Sequence, residues 1–211
     1  MDDSRGDAVI SSIARACDVI AASAYRNGSE LLLPAEGDAL VTGDLHGDVE
    51  SYDRIVARSD LARNPMRHLF LQELTHGRDS CDGNDGSCAL IEKVAALVNS
   101  FPDRVHVLMG NHEMAELTGR TIIKEGIVLN AAFRRGAAAR YAENADDVLD
   151  SIRSFWKSLP LAARTANRVF ISHSTPSRRH IDTFDPSVLR RPLDDADLRR
   201  HGSSVYALLW G

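Results

Sequence analysis

The chain has 211 residues, 44% of them hydrophobic, and a formal net charge of -5 from 30 acidic and 25 basic side chains. That length and apolar content suffice for one sizeable core, so a single domain is expected, and the acidic balance excludes a general nucleic-acid binder, which needs a positive surface. No apolar window is long enough to cross a membrane, and Met1-Asp2-Asp3-Ser4-Arg5 lacks the basic and apolar regions of a signal peptide, so no membrane partner and a cytoplasmic location are expected.

In chain order, Ile10, Ile13, Cys17, Ile20 and Ala24 recur at spacings of three and four, which predicts an amphipathic helix over 7–26 closed by Asn27-Gly28. This helix and its lead-in, 1–38, are expected to pack against a main domain spanning 39–211. Apolar runs predict strands near 39–43, 68–73, 104–109 and 168–172, alternating with helices near 48–58, 88–100 and 112–118. That strand-helix rhythm is α/β, a class whose ligands gather beyond the carboxyl ends of the strands. Two further helices are expected over 128–142 and 145–158, the second with Val148, Ile152 and Phe155 on one face, capping the sheet and shaping a cleft. Cys17, Cys81 and Cys88 form an odd set without a Cys-x-x-Cys pair, which argues against a structural zinc site. The loop over 79–87, with its Asp-Gly-Asn-Asp-Gly run, lacks EF-hand spacing and reads as a surface loop overhanging the site.

The chemistry concentrates at two of the predicted strand ends. Asp44 and His46 stand two residues apart in Gly43-Asp44-Leu45-His46-Gly47, so a carboxylate oxygen and an imidazole nitrogen can face one cation while the glycines let the backbone turn sharply. Gly110-Asn111-His112-Glu113 follows the alternating stretch 104–109; Asn111 offers a neutral oxygen ligand, and His112 beside it is free to handle protons. Either block alone is equally well explained by a capped turn. Two such blocks, each at a strand end, point to a metal site.

These blocks resemble the phosphoprotein phosphatase branch of the calcineurin-like metallophosphoesterases. Gly43-Asp44-Leu45-His46-Gly47 and Gly110-Asn111-His112-Glu113 match that family's first and third motifs in full. Val169-Phe170-Ile171-Ser172-His173 is similar to the strand that delivers a further His, and Leu208-Leu209-Trp210 to the family's Leu-Leu-Trp. The middle motif, Gly-Asp-x-x-Asp-Arg-Gly in the family, departs here to Gln72-Glu73-Leu74-Thr75-His76-Gly77-Arg78. Glu73 stands where the carboxylate bridging both metals is found, His76 where an Asp orients the proton-donating His, and Gly77 where a phosphate-gripping Arg lies, with Arg78 one place later.

The resemblance implies an α/β fold built as a β-sandwich flanked by helices, and two bound divalent metal ions, Mn first and Fe or Zn next. It places Asp44, His46 and Glu73 on the first ion and Glu73, Asn111 and His173 on the second, with His112 protonating the leaving alkoxide, His76 as its partner and Arg78 on the phosphate. The family's last metal-binding His follows its Leu-Leu-Trp, so that ligand is expected to be absent; His180 and His201 read as surface side chains. For the same reason the second sheet is expected to be incomplete, with 205–210 on an unpaired edge. The implied function is metal-dependent phosphomonoester hydrolysis by a hydroxide held between two metals, most simply as a serine/threonine protein phosphatase acting on a phosphorylated protein. Hydrolysis of a small phosphate ester or dinucleoside polyphosphate is the alternative, and a catalytically weak or silent metal- or phosphate-binding domain is the third reading.

Overall fold

The computed structural model describes residues 4–77 and 85–211. Arg78 and Cys81 lie outside the described residues.

Helix α1 (Ser4–Ala21) buries Val9, Ile13, Ala16 and Ile20, a stripe at helical spacing. It ends before the predicted position 26, because Arg26–Asn27 is a strand, β1, paired antiparallel with β2 (Glu30–Leu33). Asn27-Gly28 therefore turns a hairpin and does not close a helix. Gly28 has φ +64, and the backbone of Arg190 and Arg191 occupies the place where a Cβ would stand.

The predicted alternation follows. Strands β3 (Asp38–Asp44), β4 (Arg67–Gln72) and β5 (Val105–Leu108) are separated by α2 (Val49–Ser59) and α3 (Ser87–Ser100), and α4 (Asn111–Thr118) follows β5. The three strands form a parallel sheet with β4 in the middle. This accounts for the uninterrupted Leu69-Phe70-Leu71 run, since a central parallel strand is covered on both faces. Leu69 and Leu71 join the main core with the helices, and Phe70 points the other way.

A hairpin of β6 (Ile123–Lys124) and β7 (Ile127–Val128) leads into α5 (Leu129–Tyr141) and α6 (Ala145–Ser158). Helices α1, α3, α5 and α6 share the main core, in which Phe133, Val148, Ile152, Phe155 and Trp156 are buried. Strands β8 (Ala162–Thr165) and β9 (Phe170–Ser172) join β1 and β2 in a four-stranded sheet, ordered β1-β2-β8-β9, with β8 parallel to β2 and antiparallel to β9. A smaller core of Leu31, Leu33, Phe70, Leu108, Ala163 and Ile171 lies between the two sheets. The architecture is thus a β-sandwich flanked by helices. Among the described residues the outer edge of β9 is unpaired, with Val169 and Phe170 exposed beside it.

The end of the chain corrects the expectation of an apolar sheet edge. After the short helix α7 (Asp195–Arg199), residues 205–210 fall in helix α8 (Ser204–Trp210). The Ser203 hydroxyl accepts from the Tyr206 N–H as an N-cap, and Val205, Leu208 and Leu209, three and four apart, are buried on one face. Each such burial contributes about 1.5–3 kcal/mol. No helix among the described residues is long and apolar enough to cross a membrane.

Candidate metal centre

Asp44 ends β3, Glu73 directly follows β4, Asn111 and His112 open the helix after β5, and His173 directly follows β9. Four strand ends therefore converge on one place. The Glu73 carbonyl accepts from the N–H groups of Leu45 and His46, at 3.0 and 2.7 Å, and so joins the β3 and β4 turns. Glu73, His46 and His76 have φ of +51, +43 and +62, left-handed values that cost a non-glycine residue of order 1–3 kcal/mol each. The turn at Glu73 leaves its carboxyl inside the site, fully buried.

That carboxyl sits on the N-terminus of α4. Its Oε2 accepts from the Asn111 N–H at 3.0 Å and its Oε1 from the His112 N–H at 2.9 Å. Glu113 lies beside it, taking the N–H groups of Leu74 and Thr75 and the Thr75 hydroxyl on Oε1, and the Gly110 N–H on Oε2. Gly110 is wedged between the two carboxyl groups, and a Cβ there would collide with both. Burial first, and then the charge of Glu113, push the Glu73 carboxyl far above the usual carboxylate range. An acid held this way takes up a proton unless a cation stands beside it.

Two donor groups meet at Glu73. Asp44, Glu73 and His173 each place one ligand atom within 4.8 Å of the others, and so do His46, Glu73 and His112. Asn111 Oδ1 and Glu73 Oε2 lie 3.0 and 3.1 Å from the same atom, His173 Nε2. Asp44 is placed between the groups, 3.9 Å from His46 Nε2 and 3.9 Å from His173 Nδ1. The structure thus brings together Asp44, His46, Glu73, Asn111, His112 and His173, with Asp44 grouped with His173 and His46 with His112.

Surrounding polar groups fix which imidazole nitrogen is free. Gln72 Nε2 donates to the Thr42 carbonyl at 2.6 Å, which turns Gln72 Oε1 toward His173 Nδ1 at 3.2 Å. His173 then donates from Nδ1 and presents the lone pair of Nε2 to two oxygens, an arrangement that a cation between them satisfies. His46 donates from Nδ1 to the Thr75 carbonyl at 2.8 Å and likewise keeps Nε2 free. Carboxylate and amide oxygens with two oriented imidazoles form a donor set suited to Mn, Fe or Zn, so the residues present fit a divalent metal.

Beside this cluster opens a cleft of about 790 Å³, lined in part by His46, His76, Asp85, His112 and Lys124. Among its described lining residues Lys124, on β6, is the only Lys or Arg. On the cleft wall His112 Nδ1 lies 2.8 Å from Nδ1 of the buried His76, and His76 Nε2 lies 2.8 Å from Glu116 Oε1. Burial, then the neighbouring His76 and His46, push His112 down to about 3. Burial also lowers His173. Arg78 falls outside the described residues. The sequence reading missed Gln72, Glu113, Glu116 and Lys124 as parts of the site. Glu116 alone carried a usable signal, standing four residues after His112 on a predicted helix and so on the same face.

The family profile described as calcineurin-like phosphoesterase matches residues 38–210 of the chain. No curated protein matches its sequence. Among solved structures, a protein serine/threonine phosphatase from Saccharomyces cerevisiae, described as similar to human phosphatase PP5, superposes with a TM-score of 0.67 at 16% identity, over 97% of this chain and 58% of that one. At that identity the likeness concerns the fold. The chain spans 58% of the length of that phosphatase.

Proposed function

The chain belongs to the calcineurin-like phosphoesterases, metal-dependent hydrolases of phosphate esters, and from that premise we propose that it hydrolyses phosphomonoesters, as a serine/threonine protein phosphatase does. The observation that carries this reading is the sharing of one buried carboxyl, Glu73, by two groups of metal-type donors at the mouth of a cleft. Asp44, His46, Glu73, Asn111 and His173 would hold two divalent ions, with Mn the best match to mixed oxygen and imidazole donors. Such ions, when bound, lower the pKa of water to give a nucleophile and neutralise charge on phosphoryl oxygens.

The chain's own residues do the rest. Lys124 on the cleft wall supplies a positive charge for the phosphoryl group, within the electrostatic reach of His112. Burial and the neighbouring imidazoles disfavour the charged form of His112, and a phosphoryl dianion beside it favours that form, so His112 takes up a proton from solvent as substrate arrives and gives it to the leaving alkoxide. The resemblance to protein phosphatases and the fold shared with one of them support a phosphoserine or phosphothreonine substrate.

Metal analysis beside turnover tests the reading. Protein loaded with Mn²⁺ is expected to hydrolyse para-nitrophenyl phosphate and a phosphoserine peptide, and to turn over diadenosine tetraphosphate more slowly. Preference for the dinucleotide would move the substrate class to small phosphate esters. Bound metal with no turnover of any of the three would make the chain a silent metal-binding domain and overturn the proposal.

A further inference from the structure

His76 occupies the place where the resembling family has a carboxylate, and an imidazole alone cannot fix the tautomer of its neighbour, because either of its nitrogens can donate or accept. The structure supplies what is missing one step further away. The Ile122 N–H donates to Asn130 Oδ1 at 2.8 Å, which fixes the Asn130 amide so that its Nδ2 donates to Glu116 Oε1 at 2.7 Å. That oxygen is therefore an acceptor, and the other group that reaches it, His76 Nε2 at 2.8 Å, must donate. A neutral His76 protonated at Nε2 has only a lone pair at Nδ1, so across the 2.8 Å contact His112 Nδ1 must be the donor. His112 thereby keeps Nε2 for the cleft, and Nε2 makes no hydrogen bond to any described residue. The side chain of His76 is 0% exposed and that of Glu116 3%, so water does not compete for these bonds. Phe133 packs edge-on against the His76 ring and fixes its plane.

We propose that Glu116, oriented by Asn130, is a positioning residue that acts through His76 to hold His112 in the Nδ1–H tautomer, leaving Nε2 as the atom that delivers a proton to the leaving group. This rests on the reading of the chain as a phosphomonoesterase with His112 as its proton donor. No group on the cleft side is needed to set the tautomer. The order follows from the directions of the two bonds that Asn130 makes, carried through a neutral His76 to His112 across two contacts of 2.8 Å.

Leaving-group dependence tests it. An acidic nitrophenol departs without a proton and a serine alkoxide does not, so a fault in proton delivery separates the two substrates whereas a fault in folding or metal binding does not. Glu116→Leu removes the acceptor and is expected to lower kcat on a phosphoserine peptide by at least about 10-fold, within the range that general acid catalysis supplies, with KM and bound metal little changed. The same variant should keep para-nitrophenyl phosphate turnover within about threefold of wild type. Glu116→Gln should rescue, because Asn130 Nδ2 keeps the amide oxygen facing His76. Adding Asn130→Ala to Glu116→Gln frees that amide to turn its NH2 toward His76, and should bring the loss back even if Glu116→Leu does not fold. In parallel, long-range 15N spectra of the histidines, taken on the metal-free protein, should show His112 protonated at Nδ1 and His76 at Nε2 in wild type and Glu116→Gln, and a changed tautomer in the double variant. Equal losses on both substrates, or tautomers unmoved in the double variant, overturn the proposal. A wild type inactive on every ester would instead remove the phosphomonoesterase reading, and the spectra would still decide the hydrogen-bond order.

Discussion

Replacing Glu73 with Gln should reverse its effect on stability between pH 5 and pH 8 when no metal is present. In the metal-free protein, burial and the charge of Glu113 hold the Glu73 carboxyl well above its ordinary 4.5, so the native state keeps a proton that the unfolded chain releases. The unfolded state then binds fewer protons, and stability falls as pH rises from about 4.5 toward the raised native value. At about 1.4 kcal/mol per pH unit, the wild type loses roughly 4 kcal/mol between pH 5 and pH 8. Gln does not ionise, so this slope disappears. It also cannot accept from both the Asn111 and the His112 N–H, and leaving one of them unpaired costs about 1–2 kcal/mol at every pH. Glu73→Gln is therefore expected to be less stable than wild type by about 1–2 kcal/mol at pH 5 and more stable by about 2–3 kcal/mol at pH 8. Urea unfolding in a chelator at the two pH values reads both differences. Two parallel stability profiles, with the variant shifted equally at both pH values, would refute the reasoning.

Adding Mn²⁺ should raise the thermal midpoint of the wild type more at pH 8 than at pH 6, because the ion binds the deprotonated carboxylate, and scanning calorimetry at the two pH values checks it. Gln72→Leu removes the acceptor that holds His173 Nδ1–H and should weaken Mn²⁺ binding by about 10- to 100-fold in a dialysis titration while leaving the urea midpoint in place. Gly110→Ala drives a methyl into the Glu73 and Glu113 carboxyls and should cost about 1–3 kcal/mol, seen as an earlier thermal transition. Asp44→Asn and His46→Ala should each abolish metal-dependent hydrolysis with an unchanged far-UV circular dichroism spectrum, since both side chains are partly exposed and add little to the core.

The strands that carry the site were legible because each holds an apolar run that ends in polar residues. β4 was the clearest, since burial on both faces makes its centre, Leu69 to Leu71, an uninterrupted apolar run. The first hairpin was not legible: Asn27-Gly28 serves equally as a helix stop and as a hairpin turn, and β1 is only two residues long. Ser204–Trp210 reads as either strand or helix from its apolar residues alone, and the Ser203 cap decides it. Within the site, the residues that carry the motifs were found, and the polar residues that hold them in place were not. Gln72 stands directly before Glu73, but its partner His173 lies 101 positions away, and Glu116 reaches His76 from a helix forty positions away. Lys124 enters on a hairpin whose two strands are too short to leave a pattern.

The central claim is that Glu73 is shared by two metal-holding groups. Equilibrium dialysis against Mn²⁺ with elemental analysis, run on the wild type and on Glu73→Gln, tests it most directly. Loss of a carboxylate common to both groups should empty them together, so the account predicts about two ions per chain in the wild type and about none in the variant. A variant that keeps its metal, or a wild type that binds none, would contradict it.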